Sequence, residues 1–388
     1  MQKYRFPSRF GNRSRLLVDG AQFIPAMEEQ IAAARKFVLL EMYLIESGRL
    51  AERIIDGLVA AVARGVRVCL LLDAYGARAL RRRDRQRLLE GGVELTFYNP
   101  LRLSRWTRNL LRNHRKLLLV DGRVVFTGGA GITDLFDLAI SPHHYWHEAM
   151  LELYGPCVHD WQELFEKTWN RWARQPLTLL PAAPPAETGE GVGRVAVQDR
   201  TVAGSEIMRS YVKRIRRARQ RVWLATAYFV PPWKLRRALR RQARLGRDVR
   251  LLLPGPRIDH PGVRHMGRRF YLRLLRSGVR IYEFQPRFLH VKLLLCDGWI
   301  SIGSCNADGW NYRWSLEANQ ELEDPKLQRQ AEEMFVNDFA ASEEILYQDW
   351  MQRPWLRHLR EWFWGRVAAL LGWFSNRKKG GPDADDHL

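Results

Sequence analysis

The chain consists of two related halves, and this internal repeat limits the folds it can adopt more than any other feature. Residues 113–121 read NHRKLLLVD and residues 289–297 read LHVKLLLCD, so His-x-Lys-x-x-x-x-Asp occurs twice. One such match is expected by chance in only about one sequence of this composition in a hundred. Two matches at equivalent places in the two halves therefore indicate a duplicated unit.

Three further pairs of segments repeat in the same order around this motif. They are ARKFVLLEMYLI with ARQRVWLATAYFV, ARGVRVCLLLD with ARLGRDVRLLLP, and LLEGGVELTFYNP with LLRSGVRIYEFQP. Apolar strands that alternate with amphipathic helices, such as the helix predicted over 50–64, are typical of a sheet covered by helices. The repeat therefore predicts an α/β fold of two pseudo-twofold-related lobes, each a mixed β-sheet flanked by helices.

Composition sets the expected boundaries of these lobes. Residues 1–176 form the predicted first lobe, and the Pro/Ala/Gly-rich stretch 177–193 forms a linker. Residues 194–345 form the second lobe, and 346–388 form a basic, aromatic, amphipathic segment with an acidic tail. We expect the lobes to pack together around one shared pocket. The alternative is two separated domains.

The charge of the chain points to an anionic partner. Lysine and arginine number 63 against 42 aspartates and glutamates, a net charge of +21. Such a charge suits nucleic acid or an acidic membrane surface and does not choose between them. The first residues lack the apolar stretch of a signal peptide, and no apolar run is long enough for a transmembrane helix. With four cysteines in no disulfide pattern, we expect a peripheral protein on the cytoplasmic side of a membrane.

Each copy of the motif supplies an imidazole, an ammonium group and a carboxylate. The six side chains are His114, Lys116, Asp121, His290, Lys292 and Asp297. Within a strand, residues two apart face the same side, so each histidine is predicted to lie beside its lysine. Each aspartate precedes a glycine at a hairpin turn, which favours a structural role over an ion pair with a neighbouring basic residue.

A turn of small residues follows each hairpin and could present backbone N–H groups to an anion. The turns are Gly128-Gly129-Ala130-Gly131 and Gly303-Ser304-Cys305-Asn306, with Ser304 and Asn306 as further donors. Glu148 and Glu317 follow their motifs at comparable distances and are candidates to orient the histidines. The alternative for each glutamate is an ordinary place on the surface.

Two sets of imidazole, ammonium and donor turn are typical of a site that transfers a phosphate-linked group. One neutral imidazole can attack phosphorus to give a phosphohistidine, while the other protonates the leaving alkoxide and then deprotonates the next nucleophile. The lysines offset charge on the non-bridging oxygens, so the hypothesis needs no metal and no cofactor.

These residues resemble the phospholipase D superfamily, whose signature is HxKxxxxD followed by a small-residue turn and an Asn. Within it the chain is most similar to bacterial cardiolipin synthases of the short type. The resemblance implies that His114 is the nucleophile, that His290 is the acid/base, and that Asp121 and Asp297 belong to the catalytic set. One departure is Gly131, which stands where the second motif has Asn306.

The C-terminal stretch 353–379 predicts a partner surface. Its aromatic and leucine residues fall near one helical face and are Trp355, Leu359, Trp362, Phe363, Leu370 and Trp373. With interspersed arginines they favour an interfacial helix on an anionic bilayer, against the alternative of a helix packed on the protein's own core. The basic runs 78–87 and 264–276 are interpreted as solvated helix faces. The histidines of HHYWH, 143–147, are interpreted as a polar loop at the pocket mouth rather than a metal site.

The first functional hypothesis is a phosphatidyltransferase that makes cardiolipin from phosphatidylglycerol through a phosphohistidine and releases glycerol. The alternatives are a phospholipase D that forms phosphatidic acid, a nuclease or phosphodiesterase, and a non-catalytic binding protein. Both motifs are complete, which argues against the last. The aromatic C-terminal segment favours phospholipid substrates and an anionic phospholipid bilayer over nucleic acid. The oligomeric state has no signal in the sequence.

Overall fold

The predicted α/β fold is confirmed by a computed structural model, which describes residues 4–101, 108–177, 188–199, 205–309 and 314–353. The strands of the first half are β1 (Arg9–Val18), β2 (Phe37–Met42), β3 (Arg67–Asp73), β4 (Glu94–Tyr98), β5 (Arg112–Asn113), β6 (Leu117–Val120), β7 (Val124–Gly128) and β8 (Ala149–Tyr154). The strands of the second half are β9 (Gly191–Gln198), β10 (Arg221–Thr226), β11 (Phe229–Val230), β12 (Asp248–Pro254), β13 (Arg280–Phe284), β14 (Lys292–Cys296), β15 (Trp299–Gly303), β16 (Ala307–Asp308), β17 (Ser315–Glu323) and β18 (Ser342–Glu344).

The strand order of the main sheet reads as a palindrome about its centre. The order is β18-β13-β12-β10-β14-β15-β17-β9-β1-β8-β7-β6-β2-β3-β4. Counted outward from the β9–β1 seam, the strands at each position in the two halves are sequence counterparts of one another. Strand β18 adds one strand at an edge. The seam is antiparallel, with Asn12 opposite Gly191. The repeat therefore appears in the fold as two lobes that share one continuous sheet.

Helices cover both faces of this sheet. They are α1 (Gly20–Ala33), α2 (Arg49–Ala63), α3 (Arg82–Glu90), α4 (Cys157–Trp172), α5 (Glu206–Arg217), α6 (Trp233–Arg244), α7 (Pro261–Arg268), α8 (Tyr271–Leu275), α9 (Pro325–Ala340) and α10 (Tyr347–Met351). Helix α2 matches the helix predicted over 50–64, because its apolar residues recur at helical spacing and are buried.

One hydrophobic core runs through both lobes. Side chains of α4, such as Trp161, and of α9, such as Phe335, belong to the same buried cluster as the inner faces of strands from both halves. A second core lies under α1 to α3, and a third under α5 to α8. Because the halves share a sheet and a core, the alternative of two separated domains does not hold.

Two boundaries differ from those predicted by composition. Strand β9 begins at Gly191, so the last residues of the predicted 177–193 linker are already in the sheet. The segment 346–388 begins as α10, whose buried Trp350 packs on Tyr271 with ring centroids 4.9 Å apart. The basic, aromatic stretch that follows lies outside the described residues. Among the described helices, none is long and apolar enough to cross a membrane.

Candidate active site

The two motif histidines lie just before strands rather than inside them. Strand β6 begins at Leu117, one residue after Lys116, and β14 begins at Lys292. The predicted strand placement of His114 and His290 is therefore wrong by a few residues. Each lysine still reaches its own histidine: Lys116 Nζ donates to the His114 carbonyl at 2.7 Å, and Lys292 Nζ donates to the His290 carbonyl.

The backbone of each motif is hydrogen-bonded to the opposite half of the molecule. The amide of His114 donates to the carbonyl of Leu316 at 3.0 Å, and the amide of His290 donates to the carbonyl of His147 at 2.7 Å. Leu316 and His147 each immediately precede one of the candidate glutamates. The twofold arrangement therefore places each histidine beside the glutamate of the other half.

The side chains follow the same crossed pattern. His290 Nδ1 lies 2.6 Å from Glu148 Oε2, and His114 Nδ1 lies 3.2 Å from Glu317 Oε1. Both glutamates are fully buried, so the alternative of surface glutamates does not hold. The predicted partners are present, but each comes from the half that does not carry the histidine. Sequence spacing could not reveal this crossing.

The two pairs are not equivalent. The Glu148 carboxylate also accepts from Lys292 Nζ at 3.2 Å, and that ammonium lies 2.8 Å from His290 Nδ1. The carboxylate oxygens of Glu317 have no hydrogen-bond partner among the described residues, so the contact of this carboxylate with His114 is an ion-pair distance without hydrogen-bond geometry. The side chain of His114 is 21% exposed and that of His290 is 12% exposed. The His290 side of the site is therefore more tightly held.

The charges of both halves act on one another. Burial, and then the charge of Lys292, lower the pKa of His290 to about 4, although Glu148 opposes this. Burial lowers the pKa of Lys116 to about 8, with Glu317 opposing the change and Lys292 adding to it. Burial also lowers the pKa of Lys292, against the attraction of Glu148. Since each lysine is influenced by groups from both halves, the two motifs form one electrostatic cluster.

The motif aspartates lie at the turns and bind backbone. The carboxylate of Asp121 accepts from the amides of Arg35, Lys36 and Phe37 at 2.8–2.9 Å. Both Asp121 and Asp297 have positive φ, 55° and 51°.

Asp297 repeats the arrangement in the second lobe. It accepts from the amides of Arg219, Gln220 and Arg221 at 2.8–3.0 Å. Each carboxylate thus ties a hairpin turn to the start of a neighbouring strand and makes no contact with the histidine cluster. This geometry does not support placing Asp121 and Asp297 in the catalytic set. We infer a structural role for both.

The first small-residue turn packs directly on the cluster. A Cβ built on Gly129 would lie 2.0 Å from Glu148 Oε2 and 2.7 Å from Lys292 Nζ, and one on Gly128 would lie 2.5 Å from the Met150 sulfur. Gly129 therefore allows the carboxylate and the ammonium to approach the backbone. At Gly131, the departure from the family pattern, a Cβ would lie 2.7 Å from the Leu44 carbonyl oxygen.

In the second turn the side chains are held by the protein itself. Ser304 Oγ accepts from the Ala318 amide at 3.2 Å, and Asn306 Oδ1 accepts from the Tyr228 amide at 3.3 Å. Both residues are buried. The Ser304 hydroxyl also donates to the Ala318 carbonyl at 3.4 Å. The expectation that Ser304 is an open donor for a phosphate is therefore wrong, because both bonds of its hydroxyl go to the strand that carries Glu317. The Nδ2 group of Asn306 stays a predicted donor.

Aromatic rings that the sequence analysis missed form one wall of the site. The ring centroid of His290 lies 5.7 Å from Phe136, 5.0 Å from Trp146 and 5.6 Å from Phe288. On the other side, Tyr43 packs against His114 with centroids 4.1 Å apart and the rings tilted by 50°. These residues lie in loops or just beyond strands, where hydrophobic periodicity gives no signal.

His147 is not part of an exposed polar loop, as the histidine run had suggested. His143 and His144 are exposed, but His147 is buried, with Nδ1 2.7 Å from Asp19 and Nε2 2.9 Å from Asp338. The prediction was wrong for His147 because this residue, at the end of the run, pairs with the backbone of the second half, while His143 and His144 stay in solvent. Within the described ranges, no group of three or more His, Cys, Asp or Glu has the arrangement of a metal site.

Comparisons with known proteins place the chain in one family. A family model described as cardiolipin synthase, PLD-like domain, matches residues 27–169 and 211–339. Cardiolipin synthase A of Pseudomonas aeruginosa is 34% identical over 370 residues, which cover 95% of this chain and 74% of that protein. Cardiolipin synthase A of Pseudomonas putida is 33% identical over 375 residues, covering 95% and 76%.

Two solved structures share the fold at low sequence identity. Phosphatidylserine synthase of Haemophilus influenzae superposes with a TM-score of 0.66 at 14% identity and covers 92% of this chain and 93% of its own. Polyphosphate kinase of Porphyromonas gingivalis superposes with a TM-score of 0.54 at 15% identity, covering 83% and 49%. Both are evidence for the fold alone.

Proposed function

Because the chain belongs to the cardiolipin synthase family of phospholipase D-like proteins, we propose that it transfers a phosphatidyl group from one phosphatidylglycerol to another lipid alcohol. The first product is glycerol, and with phosphatidylglycerol as the acceptor the second product is cardiolipin. The observation that carries the proposal is the crossed pairing of His114 with Glu317 and of His290 with Glu148. It gives one cluster with two oriented imidazoles, as a double displacement requires.

The proposed reaction has two balanced steps. In the first, a neutral imidazole attacks phosphorus, the bond from phosphorus to the glycerol oxygen breaks, and the other imidazole gives its proton to that oxygen. In the second, the same imidazole takes a proton from the hydroxyl of the acceptor lipid, whose oxygen attacks phosphorus and frees the first histidine. Glu148 holds a proton on the Nδ1 side of His290, which leaves Nε2 of that ring for the chemistry. Glu317 lies 3.2 Å from Nδ1 of His114 and places its negative charge on the same side of that ring.

Lys116 and Lys292 supply the positive charge that the transition state needs. Both are buried beside the histidines, and burial lowers the pKa of each. The negative charge of a phosphodiester substrate favours the protonated lysines and offsets the cost of desolvating their ammonium groups. The lysines therefore bind substrate and also stabilise the charge that develops on the non-bridging oxygens.

The order of the histidines stays a prediction. The family resemblance implies that His114 attacks and that His290 acts as acid/base. Burial and the charge of Lys292 lower the pKa of His290 to about 4, which favours a neutral imidazole at pH 7. The negative charge of a bound phosphodiester raises the pKa of a nearby imidazole, so the lowered pKa of His290 is compatible with its role as the acid. Trapping the phosphohistidine and locating it by mass spectrometry decides whether His114 or His290 is the nucleophile.

The aromatic wall supports a lipid acceptor over water. Phe136, Trp146 and Phe288 surround His290, the proposed acid/base, with apolar surface. An apolar wall favours acyl chains and limits the access of water to the phosphohistidine. The proposed place of the enzyme is the cytoplasmic side of the cell membrane as a peripheral protein. Its four cysteines are free and buried, which suits a reducing compartment.

Thin-layer chromatography of the lipids formed from phosphatidylglycerol vesicles tests the proposal. We expect cardiolipin and released glycerol from the wild type, and turnover lowered by several orders of magnitude in His114→Ala and in His290→Ala. His143→Ala, which removes an exposed histidine nearby, is the matched control and should keep wild-type turnover. Phosphatidic acid as the only product would replace transfer by hydrolysis, and cleavage of an oligonucleotide without lipid turnover would favour a nuclease.

A further inference from the structure

The two lobes differ in charge at one pair of equivalent helices. In the first lobe α2 carries two arginines and two carboxylates, Glu52 and Asp56. In the second lobe α6 occupies the equivalent place in the repeat and carries no carboxylate. Its basic residues are Lys234, Arg236, Arg237, Arg240, Arg241 and Arg244. The difference lies in a solvent-facing surface and not in the core.

In the first lobe, the neighbouring helix neutralises this position. Arg83 of α3 lies 2.9 Å from Glu52 of α2, and Arg87 of α3 pairs with Asp56 of the same helix. Carboxylates of α2 therefore neutralise part of the positive charge of the basic run 78–87. These exposed ion pairs agree with the interpretation of this run as a solvated helix face.

In the second lobe, positive charge faces positive charge. Arg240 Nε of α6 donates to the Ser277 hydroxyl at 3.0 Å, and that hydroxyl donates to the Arg273 carbonyl of α8 at 2.9 Å. Burial, and then the charges of Arg244 and Arg273, lower the pKa of Arg240. Burial, and then nearby positive charges that include Arg273, lower the pKa of Arg236. Within the described residues, none of these four arginines forms an ion pair. Like charges held together on two packed helices destabilise the surface, and a bound anion would relieve that repulsion.

The apolar residues of this surface favour a membrane as the source of the anion. Trp233 at the start of α6 is 55% exposed, and Leu245 just past its end is 56% exposed. Exposed Trp and Leu beside arginines suit the interface of a bilayer, where apolar side chains enter and guanidinium groups meet phosphates. Single-stranded nucleic acid would be met by stacked aromatic rings along a groove, and α6 offers one exposed ring.

The helix that carries this surface begins close to the active site. Helix α6 follows shortly after Tyr228, whose ring lies 6.4 Å from Phe288, and Phe288 lies 5.6 Å from His290. Trp350, near the last of the described residues, packs on Tyr271 of α8.

We propose that the arginine face, formed by Arg236, Arg240, Arg244 and Arg273, binds the phosphodiester headgroups of an anionic phospholipid bilayer and holds the active site at the bilayer surface. The proposal rests on the proposed function, because a phosphatidyltransferase must draw both of its substrates from a bilayer. Trp233 and Leu245 enter the interface while the arginines bind phosphates. The second lobe, and not the first, faces the membrane.

Co-sedimentation of the full chain with vesicles tests this face. Wild type is compared with R244Q/R273Q on vesicles of phosphatidylcholine alone and of phosphatidylcholine with 30% phosphatidylglycerol. Both substituted arginines are exposed and make no ion pair in the described structure, so the fold should be kept. A basic residue near an anionic surface contributes about 1 kcal/mol, so the partition coefficient on the anionic vesicles should fall about 30-fold. R83Q/R87Q is the matched control, since it removes the same charge from the equivalent place in the first lobe and should change binding by less than about threefold.

Three outcomes overturn the proposal: no loss of binding in R244Q/R273Q, an equal loss in the control, or displacement of the protein from anionic vesicles by an oligonucleotide at equal phosphate concentration. The first two remove the arginine face as the docking surface, and the third removes the bilayer as its partner. Turnover of phosphatidylglycerol dispersed in detergent micelles is measured alongside. If R244Q/R273Q keeps micellar turnover and loses vesicle binding, the face is supported. If the wild type has no micellar turnover, the proposed function fails while the binding result still stands.

Discussion

The buried histidine at position 147 gives a prediction in which the structure fixes the sign, the size and the pH range. Its ring lies between Asp19 of the first half and Asp338 of the second, and stacks on Phe284 with centroids 4.9 Å apart. Arg287 also reaches Asp19 and lies 3.0 Å from Nδ1 of the histidine. The imidazolium thus joins the two lobes next to the strand that begins after Glu148.

Burial disfavours the charged ring, but the hydrogen bonds with Asp19 and Asp338 outweigh it and raise the pKa of His147 to about 9, against 6.5 for a free histidine. Because the folded pKa lies above the unfolded one, the stabilisation is fully present below pH 6.5 and is lost as pH rises through 9. At about 1.4 kcal/mol for each pH unit between the two pKa values, the imidazolium contributes about 3 kcal/mol to the free energy of unfolding.

Urea unfolding of wild type and His147→Gln, followed by tryptophan fluorescence, measures this contribution. At pH 6 the variant should be less stable by about 3 kcal/mol more than at pH 9.5, while any loss of ring packing should be the same at both. His144→Gln, which removes an exposed histidine of the same loop, should show no such pH dependence. A stability difference between wild type and His147→Gln that is equal at both pH values, or larger at pH 9.5, would refute the buried imidazolium.

Three further substitutions separate catalysis from folding. Glu148→Gln removes the charge that orients His290 and that faces the buried Lys292, so kcat per folded molecule should fall by about 10²–10⁴-fold, as lipid turnover with the folded fraction from calorimetry can measure. A kcat per folded molecule that stays within a few-fold of wild type would instead make Glu148 structural. Gly129→Ala places a methyl group 2.0 Å from the Glu148 carboxylate, so turnover should drop sharply, whereas Gly57→Ala, whose methyl makes an ordinary 3.4 Å contact, should leave turnover unchanged. Equal turnover in these two variants would contradict the close approach. Asp121→Ala loses three amide hydrogen bonds and should cost about 2 kcal/mol or more of stability, while kcat per folded molecule stays within a few-fold of wild type. A large loss of kcat in folded Asp121→Ala would return this aspartate to the catalytic set.

The fold could be predicted from the sequence because the sequence patterns that indicate strands, helices and turns are local. Apolar strands, amphipathic helices and turn dipeptides such as Asp121-Gly122 each depend on a few neighbouring residues, and their repetition in order predicts two similar lobes. The twofold follows from the duplication itself, since two copies of one unit pack most simply as a symmetric pair. The histidines, lysines and candidate glutamates could be named for the same reason.

The membership of each catalytic pair was decided only by the tertiary structure. Glu148 follows the first motif in the chain but contacts His290 of the second, because the seam between β9 and β1 brings the two halves together head to head. Likewise, spacing alone could not show that Asp121 accepts backbone amides or that His147 is buried between two carboxylates. A local pattern specifies the backbone on which a side chain sits, whereas its partner across the fold depends on how distant segments pack.

Two imidazoles that each depend on a carboxylate from the opposite lobe cannot be assembled by either lobe alone. The sequence determined the groups and their backbone supports, and the packing of the lobes determined which groups meet. Chain order carries the first kind of information because it is local. The second arises only when burial in a shared core fixes the distances between residues that lie far apart along the chain.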